Sequence, residues 1–287
     1  MLSFMNDNYN LTLLKVHFTA VLFGLTGVLG AVIQSSPKVL VLGRVIIACS
    51  ALGLFFLIKR QPLTKLCKRD FSFQILLSMM LMAHWVTFYI AIKAGGVAVG
   101  TLGFASFPGF AALSETLLFK ERLKYREFWL LIAISLGLIL VTPSFEFGDR
   151  ATQGLLWGIL SGAIYGLLAV FNRKNASKLS GSQASFWQYF FGILVLLPFS
   201  YQQLPTVPAL DWFWIACIGL LCTSLAYTLF VSSLKTINAR TAAMIISLEP
   251  VYAIIIAWIW LGEIPSLRMI IGGLLIVVSV AIVNLKK

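Results

Sequence analysis

Four ionisable side chains fall inside long apolar stretches of this chain: Arg44, His84, Glu115 and Glu249. Each costs roughly 3 kcal/mol to place in hydrocarbon on insertion scales, so each is a functional candidate by default. Glu249 stands about halfway along its stretch and is followed by Pro250. Proline removes a backbone donor and frees the carbonyl four residues earlier, which loosens the helix locally. A carboxylate at such a turn can bind a cationic group or a proton. It can equally be a buried neutral acid bonded to a neighbouring helix. His84 precedes Trp85. An imidazole titrates near physiological pH, so His84 and Glu249 are the two candidates for carrying a proton. The Trp85 ring can stack on an aromatic or cationic group. Against this stands a core histidine that bonds across helices. Glu115 lies about one turn before Lys120 and reads as an ion pair with Lys120 or a nearby Arg. Arg44 sits a turn or two inside the end of its stretch. Either its stem snorkels to the interface or it guides an anionic group such as a carboxylate.

Aromatic residues deep in the stretches are candidates for lining a cavity: Phe23, Trp85, Phe107, Trp157, Tyr165, Tyr227 and Tyr252. The tyrosines lead, because a hydroxyl in hydrocarbon seeks a partner. Other chemistry is thin. The histidines (His17 and His84) and the cysteines (Cys49, Cys67, Cys217 and Cys222) show no metal-ligand spacing. There is no HExxH, GxSxG, close Asp pair or Walker loop. The expectation is no metal, no cofactor and no enzyme.

The elements that must position these residues follow from composition. Of 287 residues, 60% are hydrophobic and 11% charged, against about 25% charged in a soluble domain; mean hydropathy is +0.94. That excludes soluble enzymes, secreted disulfide scaffolds and disordered chains. The net charge of +12 reads as cytoplasmic loop cations rather than a nucleic-acid surface. The partners expected are the lipid bilayer and a small-molecule substrate, with no nucleic acid and with a homodimer left open. The polar first dozen residues show no cleavable signal pattern.

Ten stretches of spanning length fall near 13–34, 38–58, 72–93, 95–118, 127–143, 152–172, 183–200, 210–234, 239–261 and 264–285. With the N-terminus inside, every loop cation except Lys38, Lys93, Arg150 and Arg268 lies on the cytoplasmic side, as the positive-inside rule requires. Gly154, Gly158, Gly162 and Gly166 recur every four residues, and Gly95, Gly96, Gly100 and Gly103, with Gly272 and Gly273, form further clusters. Such small faces let helices approach closely.

The chain also repeats itself. The shift that carries Lys93 onto Lys235 carries Pro108 onto Pro250, Phe110 onto Tyr252 and Glu121 onto Glu263. The reading is an all-α membrane protein of ten transmembrane helices in two inverted five-helix repeats, 1–143 and 150–287, with both termini cytoplasmic. Paired interruptions at Pro108 and Pro250 point to a midplane site between inverted repeats.

On these features, and on the endings LLFKERL and IWLGEIP, the chain resembles the drug/metabolite transporter superfamily, EamA type. The resemblance implies a multi-pass carrier of the bacterial inner membrane, without a bound cofactor and with the third span, which bears His84, lining a central cavity. One departure is that Phe107 precedes the first proline whereas Glu249 precedes the second. The function expected is a secondary transporter working by alternating access. Its expected cargo is small metabolites, amino acids or related amphipathic compounds first, exported or exchanged. The alternatives are a multidrug or cationic-compound efflux carrier and an importer of a host metabolite.

Overall fold

In hydrocarbon the backbone must satisfy itself, and an α-helix does so within one segment. The computed structural model describes residues 2–120, 125–141, 148–175 and 179–285, and these contain helices without a strand. The order is α1 (Leu2–Val32), α2 (Pro37–Ile58), α3 (Lys68–Phe104), α4 (Phe107–Phe119), α5 (Tyr125–Val141), α6 (Arg150–Asn175), α7 (Gly181–Ser200), α8 (Ala209–Cys217), α9 (Ala226–Ser233), α10 (Ala239–Ile246), α11 (Glu249–Leu261) and α12 (Leu267–Leu285). A 3-10 turn follows α7, and a π-helical stretch, Ile218–Leu225, joins α8 to α9. Among the described residues, seven helices are long and apolar enough to cross a membrane: Tyr9–Val32, Pro37–Ile58, Lys68–Phe104, Arg150–Lys174, Gly181–Thr206, Ala209–Ser233 and Ala239–Leu261. Phe107–Phe119 is a shorter apolar helix. Side chains such as Leu57 (77% exposed) and Ile259 (80%) form the outer, lipid-facing surface.

The repeat is visible in the backbone. α4 and α11 begin and end at positions related by the shift that carries Lys93 onto Lys235. Each follows a short break in its span. Each has a proline in its first turn, where the missing N–H costs no helical bond. Each stops at a left-handed residue, Lys120 (φ 55°) and Gly262 (φ 72°).

The sequence separates spans 72–93 and 95–118, whereas α3 runs on to Phe104 before breaking. It kinks at Gly96, whose φ of 81° and ψ of 172° only glycine adopts without strain. The kink strips Val97 N–H of its helical acceptor, and the Glu263 carboxylate accepts it instead, at 3.1 Å.

The glycine clusters face one another. A Cβ on Gly154 would lie 2.7 Å from Gly95 N, and one on Gly158 2.7 Å from the Gly100 carbonyl oxygen. One on Gly166 would lie 2.8 Å from Ala111 N. α6 therefore packs backbone to backbone along α3 and α4. Gly273 sits more loosely, its notional Cβ 3.6 Å from Leu102.

Candidate functional site

That close α6–α3 seam brings His84, Tyr165 and the broken span of α10 and α11 around one interior cavity. Its walls are Phe23 and Thr26 from α1, Arg44 from α2, His84, Trp85, Phe88 and Phe104 from α3, Tyr165 from α6 and Glu249 from α11. In this conformation it is nearly filled by its own side chains: about 20 Å³ is left, room for about one water molecule and far below the roughly 300–1,000 Å³ of ligand pockets.

Arg44 is 1% exposed and does not snorkel. Its Nε donates to Thr223 Oγ1 at 2.8 Å and its Nη1 to the Tyr89 hydroxyl at 2.9 Å. Its guanidinium lies 4.1 Å from the Trp85 ring centre. The π-helical stretch positions Thr223, whose hydroxyl donates to the Ile218 carbonyl at 2.8 Å while accepting from Arg44. A guanidinium has five N–H donors, and these two bonds leave others directed at the cavity.

Glu249 is 2% exposed and stands at the first residue of α11, whose positive dipole end favours a negative charge. Among the described residues no hydrogen-bond donor meets its carboxylate. The helix break therefore sets the Glu249 carboxylate on the wall of the same aromatic cavity that the Arg44 guanidinium of α2 lines.

His84 bonds across helices and also lines the cavity. Its Nδ1 lies 2.7 Å from Ser161 Oγ, and that hydroxyl donates to the His84 carbonyl at 3.1 Å. The Ser161 carbonyl oxygen also lies 3.2 Å from Nδ1 and can only accept, so a hydrogen on Nδ1 satisfies both contacts and would leave the lone pair on Nε2. The ring stacks on Tyr165 at 4.3 Å. Tyr165 is buried, and its hydroxyl has no partner among the described residues.

The other sequence candidates stand further off. Phe107 stacks against Phe104 at 5.6 Å and touches Tyr165 at 4.9 Å, one ring behind the wall. Tyr227 packs edge-on to Trp85. Its hydroxyl donates to Gln188 Oε1 at 2.6 Å and accepts from Asn172 Nδ2 at 3.1 Å, and Gln188 Nε2 donates to Asn172 Oδ1 at 2.8 Å. This closed triangle lies behind the cavity. Tyr252 lies where α11 crosses α1 at Gly24. Pro108 and Pro250 set the breaks and do not line the cavity. Trp157 is 38% exposed on the outer surface, not in the cavity. Glu115 pairs not with Lys120 but with Arg173 at 2.8 Å and Arg240 at 2.9 Å.

Arg44 is central although the sequence left its role even. Thr26, Phe88 and Phe104 were not singled out, and only Thr26 is polar. The uncharged amides Asn172 and Gln188 inside spans were the available signal for the triangle.

The family model that matches this architecture is the EamA-like transporter family, over residues 11–142 and again over 152–285. The chain belongs to that family. It is similar to the uncharacterized transporter YxxF of Bacillus subtilis, 23% identical over 279 residues, covering 96% of this chain and 89% of the relative. It is similar to the pseudopaline exporter CntI of Pseudomonas aeruginosa, 24% identical over 269 residues, covering 91% and 92%. A crystal structure matches with a TM-score of 0.72 at 17% identity, over 96% of both chains, and shows the same fold. This EamA protein is a multi-pass inner-membrane transporter of small molecules.

Proposed function

We propose that the protein is a secondary carrier of small zwitterionic metabolites, amino acids or closely related compounds, that works by alternating access and is not an enzyme. The observation that carries this reading is the placing of buried Arg44 and buried Glu249 on one aromatic-walled cavity. A substrate carboxylate would take the remaining Arg44 donors, and an ammonium would take the Glu249 carboxylate. Phe23, Phe104 and Tyr165 would hold the apolar part. Binding energy in such a site comes from pairing charges that are already desolvated. Arg44 counts against the cationic-drug alternative, because a bare cation would meet a fixed positive charge. In this reading the chain crosses the membrane ten times, both termini are cytoplasmic, and the two repeats are inverted. The name of one relative, an exporter, supports outward movement. Glu249 and His84 Nε2 are the groups through which a proton would couple.

The test is uptake of a labelled amino-acid and metabolite panel into proteoliposomes, with and without a pH gradient. Glu249→Gln, Arg44→Gln and His84→Ala run beside the wild type. Accumulation of zwitterions by the wild type, lost in Glu249→Gln and Arg44→Gln, is the expected result. Transport of cations alone, undiminished in Arg44→Gln, would overturn it. Gradient dependence lost in Glu249→Gln or His84→Ala identifies the proton carrier.

A further inference from the structure

The two halves of the chain hold each other's helix ends by the same device. At the end of the molecule rich in Lys and Arg, the Glu115 carboxylate of α4 accepts from Ala239 N–H, the first residue of α10, at 3.0 Å. The same carboxylate pairs with Arg173 of α6 and Arg240 of α10, and its side chain is fully buried. At the opposite end Glu263, in the turn after α11, accepts from Val97 N–H, where α3 restarts after its kink. The shift that carries Lys93 onto Lys235 carries Val97 onto Ala239. The two N–H groups are thus equivalent positions in the two repeats, and each is held by a carboxylate from the other repeat. A carboxylate on a helix N-terminus meets the positive end of the dipole and makes a charge-assisted hydrogen bond.

We propose that Glu115 and Glu263 are the paired gate residues of the transport cycle. Glu115 holds the basic end closed and Glu263 the opposite end, and the carrier alternates by releasing one while the other stays formed. The proposal rests on the carrier reading above. In the present conformation both bonds are formed, and the cavity beside Glu249 is small accordingly. The gates are unequal. Glu115 is held by two guanidinium groups and a backbone N–H, Glu263 by a backbone N–H. The basic end is therefore the harder to open, and its release sets the slower half of the cycle.

The experiment reads which side the cavity opens to. Thr26→Cys, on the cavity wall, is placed in a background whose native cysteines are Ser. Proteoliposomes are then treated with a membrane-impermeant maleimide from either side. The exposed Cys67, retained alone in a parallel preparation, marks the basic side. Glu115→Gln is expected to raise labelling from the basic side about threefold or more, and Glu263→Gln to raise it from the opposite side, as removal of a differential contact shifts a two-state population. Arg240→Gln reads the Glu115 gate independently and must shift labelling in the same direction as Glu115→Gln. Shifts toward the same side in Glu115→Gln and Glu263→Gln, or no shift in any variant, would overturn the proposal. Labelling needs no substrate. Opposite shifts in a protein that moves nothing in the panel would leave the gates standing and remove the zwitterion reading.

Discussion

Replacing Gly158 by Ala places a methyl group 2.7 Å from the Gly100 carbonyl oxygen and 3.0 Å from Gly103 Cα. Ordinary contact begins near 3.4 Å, and both neighbours are backbone, so no side chain can rotate aside. α6 must move away from α3 by several tenths of an ångström. Overpacking of this kind costs about 1–3 kcal/mol. Alanine in a helix is itself better than glycine by about 0.5–1 kcal/mol, so a control must cancel that gain. Gly53→Ala serves, because its Cβ would meet only Phe186 Cε2, at 3.6 Å. The two variants should differ by the overpacking cost alone, with Gly158→Ala the less stable. At about 2–4 °C per kcal/mol for a chain approaching this size, their midpoints should lie several degrees apart. The assay is the temperature at which half the protein is lost from the monodisperse peak after heating in mild detergent. Equal midpoints would refute the packing of α6 on α3, and with it the placement of His84 against Ser161.

Further outcomes follow from the same geometry. Arg44→Lys keeps the charge but loses the planar fork that reaches Thr223 and Tyr89 and lies on Trp85. Its substrate KM should rise about tenfold or more, a loss of about 1.4 kcal/mol, and a KM within twofold of wild type would take Arg44 out of the binding site. Tyr227→Phe removes two of the three bonds of the triangle with Gln188 and Asn172 and should cost about 0.6 kcal/mol, the average for a hydrogen bond inside a membrane protein, and up to about 1.7, read as a lower midpoint in the same heating assay. Trp157→Ala, on the outer surface, should stay within about 0.5 kcal/mol of wild type and transport normally, whereas Trp85→Ala should lose substrate binding in an equilibrium titration.

Most of the spans and the packing seams were legible in the sequence because lipid imposes them. A span must be long and apolar, a close crossing must be smooth, and a break needs a proline at the new first turn. Seven of the ten span lengths, the facing glycines and the paired breaks at Pro108 and Pro250 follow from those demands; the stretch read as 95–118 instead divides between the end of α3 and the shorter α4. Ionisable residues were equally legible, since few positions in hydrocarbon tolerate Glu249 or His84. What did not follow is rotation about each helix axis. These helices are apolar on every side, so the pattern does not say which face looks inward. For that reason Trp157 read as a cavity residue, Arg44 stayed undecided between interface and interior, and Phe88 and Phe104 passed unnoticed. Local spacing also does not say which of the offered cations, Lys120 or an Arg, pairs with Glu115. Lys120 is near Glu115 along the chain, but Arg173 and Arg240 reach it across the fold. The Gly96 kink had a glycine to mark it, yet its acceptor, Glu263, comes from the far end of the other repeat.

That last contact sets a timetable for synthesis. Val97 leaves the ribosome long before Glu263, 166 positions later. At about 5–20 residues per second, the restarted end of α3 waits about 8–33 s for its acceptor. Ala239 and Glu115, in contrast, are joined as soon as α10 emerges, because Glu115 is already made. The first half of the chain thus enters the bilayer with an end that only the last loop of the second half completes. A nascent chain stopped before Glu263 would carry an unfinished helix end at Val97.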